Sequence, residues 1–166
     1  MTAAVEKEMN NKGFTLIELI VVIVILGILV VTVAPKFINL KADAQTATLK
    51  GVKAAMEGAS ALVYGKSIVA GNHKVALADS PTVEIADGVS VSLHYGHPSI
   101  SVSDWRDHLL DVDPTVFAVT SSIDSAVVVY LIENDKPLSY QELCLSYYRS
   151  PDSEGEKPLI GTNPCS

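Results

Sequence analysis

Several groups of residues in this chain have the types and spacing for chemistry. Gly65-Lys66-Ser67 matches the end of a phosphate-binding loop, in which backbone N–H groups and a lysine cradle phosphates at the start of a helix. That motif needs glycine where Ser60 stands, and its glycines must open a helix; here the surrounding pattern closes one. His94, His97 and His108 lie near Asp104, Asp107 and Asp111, the donor types of a metal centre. The His-x-x-His spacing, however, sits in a β-type run followed by Pro98 and fits no defined ligand geometry, so surface histidines and no metal are expected. Asp111 and Asp113 before Pro114 offer calcium-type oxygens but suit ordinary turn chemistry equally well. No Ser/His/Asp or Cys/His arrangement has a motif-level signal, so neither an enzyme nor a cofactor is expected.

Two further features are harder to set aside. The first is Glu18, a carboxylate near the edge of the run "KGFTLIELIVVIVILGILVV", Lys12 to Val31. The 22 residues from Phe14 to Pro35 would span ~33 Å as a helix, matching a hydrocarbon core of about 30 Å. A charge inside such a span is costly, less so near its end. A tolerated first-turn carboxylate favoured by the helix dipole is one reading; a charge awaiting a cation from another molecule is the other. A secretory signal peptide fits poorly. Glu6 and Glu8 oppose Lys7 and Lys12, the run is too long, and a cut after Ala34 would leave Pro35 first.

The second feature is the cysteine pair, Cys144 and Cys165. Paired, they would close a loop of about 20 residues worth roughly 3 kcal/mol. The enclosed segment lacks periodicity and would fray without a staple; two unrelated reduced thiols are the alternative. A disulfide requires an oxidising compartment, which would put the C-terminal part outside the cytoplasm and the N-terminus inside. Lysines on both flanks of the apolar run, Lys7 and Lys12 before it and Lys36 and Lys41 after it, leave orientation open on charge alone. The chain's 166 residues suit one modest head, and a net charge of −7 argues against nucleic-acid binding through phosphate neutralisation.

Gly13 followed by "FTLIE" and a long apolar helix resembles the N-terminal signature of type IV pilins and their relatives, the class III signal. The resemblance implies a leader, residues 1–13, removed after Gly13 by a membrane prepilin peptidase that also methylates Phe14. It also implies that Glu18 pairs with the amino-terminal cation on Phe14 of a neighbouring subunit and so sets axial register. Family leaders are short and net positive, whereas residues 1–13 carry two glutamates; translation from Met9 would give "MNNKG" instead, placing residues 1–8 outside the protein. Further along, "APKFINLKADAQTATLKGVKAAMEGASALVYGKSIVAGN" is similar to pilins of the mannose-sensitive haemagglutinin (MSHA) type. The Cys144/Cys165 pair agrees with the C-terminal disulfide loop typical of pilins.

The elements that must position these residues follow from patterning. Residues 14–35 form the membrane or filament-core half of a helix. Beyond Pro35 the helix becomes amphipathic, with Val52, Ala55, Met56, Ala59, Leu62 and Val63 on one stripe, ending near Gly65 as the C′ residue. Pro35 removes a helical hydrogen bond and Gly27 weakens an earlier turn, making the stretch between them the candidate extensible region. Short β-type runs follow from Val83, Val89, Val116, Ala126 and Glu142, and they predict an antiparallel sheet. Val89, Val91 and Leu93 would share the face against the helix stripe. "SDWRDHLL" predicts a short helix capped by Ser103. The fold class is therefore α+β: a long N-terminal helix packed on an antiparallel head, residues 36–166, with the helix to 65 and a disulfide loop at 144–165.

The resemblance implies a structural major subunit that polymerises with copies of itself into a surface filament. Its expected partners are the prepilin peptidase/N-methyltransferase, an assembly ATPase and an inner-membrane platform protein. The precursor would sit in the inner membrane of a Gram-negative bacterium and the product would be a pilus for adhesion to surfaces or host glycans and biofilm formation. A type II secretion pseudopilin shares the N-terminal signature and is the alternative.

Overall fold

The computed structural model describes residues 14–166; Gly13, Met9 and the rest of the expected leader lie outside them. The apolar run and the amphipathic stretch form one helix, α1, Leu16–Ala70. The chain divides into two units, one ending at Ile38 and the other running from Asn39 to Ser166, and α1 contributes to both.

In the first unit, Leu16–Ala34 is long and apolar enough to cross a membrane, and none of it is buried. The helix runs unbroken through Gly27 and Pro35. Within this stretch the hydroxyl of Thr32 donates to the Leu29 carbonyl at 3.0 Å, a local back-bond of the kind that competes with the helical ladder.

In the second unit, α1 is followed by a 3₁₀ turn at Leu77–Asp79 and two antiparallel sheets where one was expected. The first has three strands, β1 (Thr82–Ala86), β2 (Val89–His94) and the two-residue β3 (His97–Pro98), in the order β1-β2-β3. A short helix, α2 (Val102–Asp104), runs into a single wider π turn at Trp105–Leu109. The second sheet has β4 (Phe117–Ser121), β5 (Val127–Leu131), β6 (Leu145–Arg149) and β7 (Leu159–Asn163) in sequence order. The architecture is thus α+β, with the helix and disulfide loop of the expected fold.

The helix stripe is narrower than the pattern implied. Leu49, Val52, Met56, Ser60, Val63 and Ser67 are the buried positions, at three- and four-residue spacing, whereas Ala55 and Leu62 face outward, Leu62 being 58% exposed. The stripe joins both sheets. Val52 and Met56 pack with Trp105, Val127, Val129 and Tyr148, while Val63 packs with Val83, Val91 and Leu93. Thus Val91 and Leu93 do lie against the helix, and Val89 is only half-buried at the strand's start. Trp105 is fully buried, donates its indole N–H to the Ser99 carbonyl at 2.9 Å and lies 4.3 Å from the Tyr148 ring. The Tyr148 hydroxyl donates to the Pro98 carbonyl at 2.7 Å, tying the four-stranded sheet to the end of β3.

Two helix ends differ from expectation. α1 continues past Gly65 to Ala70, because Ser67 is still a packed position: its hydroxyl donates to Gly96 O at 3.0 Å as well as to Tyr64 O. The stop is Gly71, at φ 75°, with Asn72 N–H bonded to Ser67 O and Gly71 N–H to Ile68 O, each at 3.1 Å. That bonding pattern is a Schellman motif. The short helix is capped by Ser101 rather than Ser103, its oxygen accepting from Asp104 N–H at 3.3 Å; the helix already begins at Val102, so Ser103 lies inside it and the cap is the residue before.

Candidate processing and assembly site

The start of α1 reads Thr15-Leu16-Ile17-Glu18, a Ser/Thr-x-x-Glu capping box. The geometry is reciprocal. Glu18 N–H donates to Thr15 Oγ1 at 3.3 Å, and Thr15 N–H donates to Glu18 Oε2 at 2.8 Å. The Thr15 hydroxyl also donates to the same Oε2 at 2.7 Å. Two orphan N–H groups of the helix start are satisfied, and the carboxylate is held at the helix's positive end. Both bonds to the carboxylate fall on Oε2; among the described residues no donor is recorded on Oε1. Phe14 precedes the helix and is 91% exposed. Thr15 was not singled out from the sequence, although Thr three residues before Glu is the signature of this box.

The cysteines form the expected bridge, Cys144–Cys165. The segment it encloses is more ordered than its lack of periodicity suggested, since it holds β6 and β7, paired from Leu145↔Asn163 to Arg149↔Leu159. β7 had no clear alternation to reveal it. The staple holds the C-terminus onto α1: Cys165 N–H donates to Thr46 Oγ1 at 2.9 Å, and the buried Ser146 hydroxyl donates to Leu49 O at 2.7 Å. Asn163 Nδ2 reaches Tyr140 O at 2.8 Å and Glu142 O at 2.6 Å, closing the loop before Cys144.

Several of the other chemical candidates have structural partners. Gly65-Lys66-Ser67 lies within α1 near its end, and Lys66 Nζ donates to Ile85 O at 2.7 Å. Asp104 accepts from Ser92 N–H at 2.9 Å, while Asp107 pairs with Arg106 at 2.7 Å and is held below the usual carboxylate range by that bond. His97 Nδ1 lies 3.2 Å from Ser60 Oγ and stacks on Tyr64; burial lowers its pKa. Asp113 accepts from the Thr115 hydroxyl at 2.7 Å and N–H at 2.8 Å, the turn chemistry foreseen, and these bonds lower its pKa. The structure does not bring His94, His97 and His108 together with Asp104, Asp107 and Asp111 as a ligand set; among the described residues no cluster of three or more such side chains could hold a metal.

The arrangement is an apolar helix whose N-terminal edge carries Phe-Thr-x-x-Glu, followed by an α+β unit with a C-terminal disulfide. Residues 9–34 match the family described as the prokaryotic N-terminal methylation motif. Over 54 residues the chain is 48% identical to the type IV narrow pilus major component PilA5 of Thermus thermophilus, covering 32% of this chain and 47% of that protein. The chain thus spans about half the length of the curated relative it matches. No solved structure matches it.

Proposed function

We propose that this chain is the precursor of a type IV pilus subunit, a structural protein that polymerises into a surface filament. The observation that carries the reading is the methylation motif set on a helix start where Thr15, the residue after Phe14, holds the Glu18 carboxylate. Cleavage between Gly13 and Phe14 by the prepilin peptidase exposes a cation on Phe14, which the same enzyme methylates. Glu18 of one subunit then meets Phe14 of the next. A subunit docked out of register keeps an unpaired charge in an apolar core, so the pair specifies register more than it adds stability.

The apolar half of α1 serves as an anchor in the inner membrane of a Gram-negative cell, N-terminus in the cytoplasm, and afterwards as filament core. Both surroundings are apolar, so transfer changes little except the partner of Glu18. Gly27 to Pro35 is the stretch that lengthens under strain, since the Pro35 nitrogen cannot donate to the ladder. An assembly ATPase and an inner-membrane platform protein drive the transfer. Residues 1–13 are the leader, 14–35 the core-forming segment and 36–166 the head. The similarity of residues 34–72 to MSHA-type pilins supports a major pilin for adhesion to surfaces or host glycans and for biofilm formation, rather than a pseudopilin.

Electron microscopy of sheared surface fibres, with mass spectrometry of their subunit, tests this reading. Fibres built of a chain beginning at N-methyl-Phe14 are expected. A chain uncleaved at Gly13, or one found only within a secretion complex, would overturn it.

A further inference from the structure

The side of α1 turned away from the sheets is apolar as well. Between Lys50 and Lys66, Gly51, Ala54, Gly58, Ala61, Leu62 and Gly65 are all exposed at one- to four-residue spacing on one face, with no charged side chain among them. Lys53 and Glu57 lie off this stripe and pair with each other at 3.3 Å. Gly51, Gly58 and Gly65 recur every seventh residue, and a Cβ added at any of them would meet nothing within 4 Å. Packing within the chain therefore does not explain these glycines, each of which weakens the helix relative to alanine. Toward the end of α1 the stripe opens into an apolar groove of about 590 Å³, with Leu62, Gly65, Lys66 and Val69 on one wall and Val83 and Glu84 of β1 on the other.

A second exposed apolar surface lies where the β4–β5 turn meets the β5–β6 connection. Ile123 N–H donates to Leu138 O at 2.9 Å, which places the two residues side by side; Ile123 is 78% exposed and Leu138 66%. Carboxylates flank this knob. Asp124 accepts from the Ser139 hydroxyl, Glu142 accepts from Leu138 N–H at 2.8 Å, and Asp135 stands three residues before Leu138. Lys136 is the one cation between Ile123 and Leu143. Exposed apolar surface rimmed by polar groups marks an interaction site.

The two surfaces complement each other: an apolar knob among carboxylates, and an apolar stripe and groove between two lysines, neither of which has a carboxylate partner among the described residues. They do not meet within the chain. Glu133 ties the β5–β6 connection to Lys41 and Gln45, and Gln45 lies ~30 Å along α1 from Gly65. We infer that the Ile123–Leu138 knob of one copy docks on the Gly51–Val69 face of a second copy's α1, where Lys50 and Lys66 meet the carboxylates around the knob. Because the two surfaces differ, the contact is heterologous and repeats into an open array rather than closing as a two-fold dimer. The inference rests on the filament reading above and adds to the Glu18 pair a contact between heads.

The test mixes two preparations of the full chain in micelles, one carrying Leu62→Cys and the other Ile123→Cys, and treats them with a short bis-maleimide. Cys144 and Cys165 are paired, so the added thiols alone react. The mixture should give a covalent dimer well above either preparation alone, and above a control with Ser153→Cys in place of Ile123→Cys. Gly65→Leu in the Leu62→Cys copy touches nothing within the chain and favours the helix, yet it should cut the yield about fivefold or more by filling the groove. Lys50→Glu should also lower it, and Asp135→Lys in the other copy should restore it. A yield no higher than the control, or one that survives both Gly65→Leu and Lys50→Glu, would overturn the inference. Fibres without the crosslink defeat this contact alone, and the crosslink without fibres defeats the filament reading alone.

Discussion

Removing the staple should cost the head a defined amount of stability, and one hydrogen bond reports whether the reason is the one given. The bridge joins residues 21 apart in sequence, so loop-closure entropy values it at about 3 kcal/mol. With a urea m-value of about 2 kcal/mol/M, within the range for small domains, Cys144→Ser with Cys165→Ser should lower the unfolding midpoint by about 1.5 M. The bridge also brings Cys165 N–H to the Thr46 hydroxyl, which donates in turn to the Ala42 carbonyl at 2.8 Å. In the bridged protein, Thr46→Val should cost about 1 kcal/mol through the lost acceptor. Without the bridge the C-terminus frays from α1, so the same substitution should cost little. A double-mutant cycle by urea denaturation of the full chain in micelles measures that coupling, expected near 1 kcal/mol. A midpoint unchanged by loss of the bridge would refute the entropic account; equal effects of Thr46→Val in both backgrounds would refute the docking of the C-terminus by the staple.

Other consequences are equally direct. Gly96 has φ 80°, and an added Cβ would sit 2.9 Å from the His73 backbone and 2.8 Å from Ser67 Oγ; Gly96→Ala should destabilise the head by about 2 kcal/mol or more in urea denaturation, since strain adds to a close contact with backbone. Glu18→Ala should leave cleavage largely intact while depressing fibre number, and Thr15→Val should do the same more mildly with rescue by Thr15→Ser, as counted by microscopy beside mass spectrometry. Normal fibre numbers in Glu18→Ala would remove the register argument. Because burial depresses the His97 pKa in the folded state, the unfolded chain binds more protons below its ordinary pKa of about 6.5. Stability should therefore be fully present above that value and decline as pH falls from it through the depressed folded value. His97→Gln should flatten the slope in this window, while the carboxylates lowered by hydrogen bonds, Asp113 and Glu133, lose their contribution only at more acid pH.

Local rules carried much of this protein. A continuous apolar run and a three- to four-residue stripe determine a helix because period and length are written in neighbouring residues, and the Thr15-x-x-Glu18 box is equally local. The strands from Val83, Val89, Val116, Ala126 and Glu142 were legible for the same reason, and two cysteines allow one intramolecular pairing. Tertiary contacts decided the rest. Gly65 looks like a helix stop until Ser67 is seen packed against Gly96, and Ala55 and Leu62 belong to the stripe by spacing but lie on its outer edge once the sheets choose their side. β7 is a strand because β6 offers it a free edge inside a stapled loop, not because its own residues alternate. The Tyr148 bond to Pro98 and the cleft that brings Tyr64 to His97 and Pro158 join residues more than thirty positions apart. Chain entropy makes such contacts costly to form, and only the packed head repays it, so no local pattern announces them.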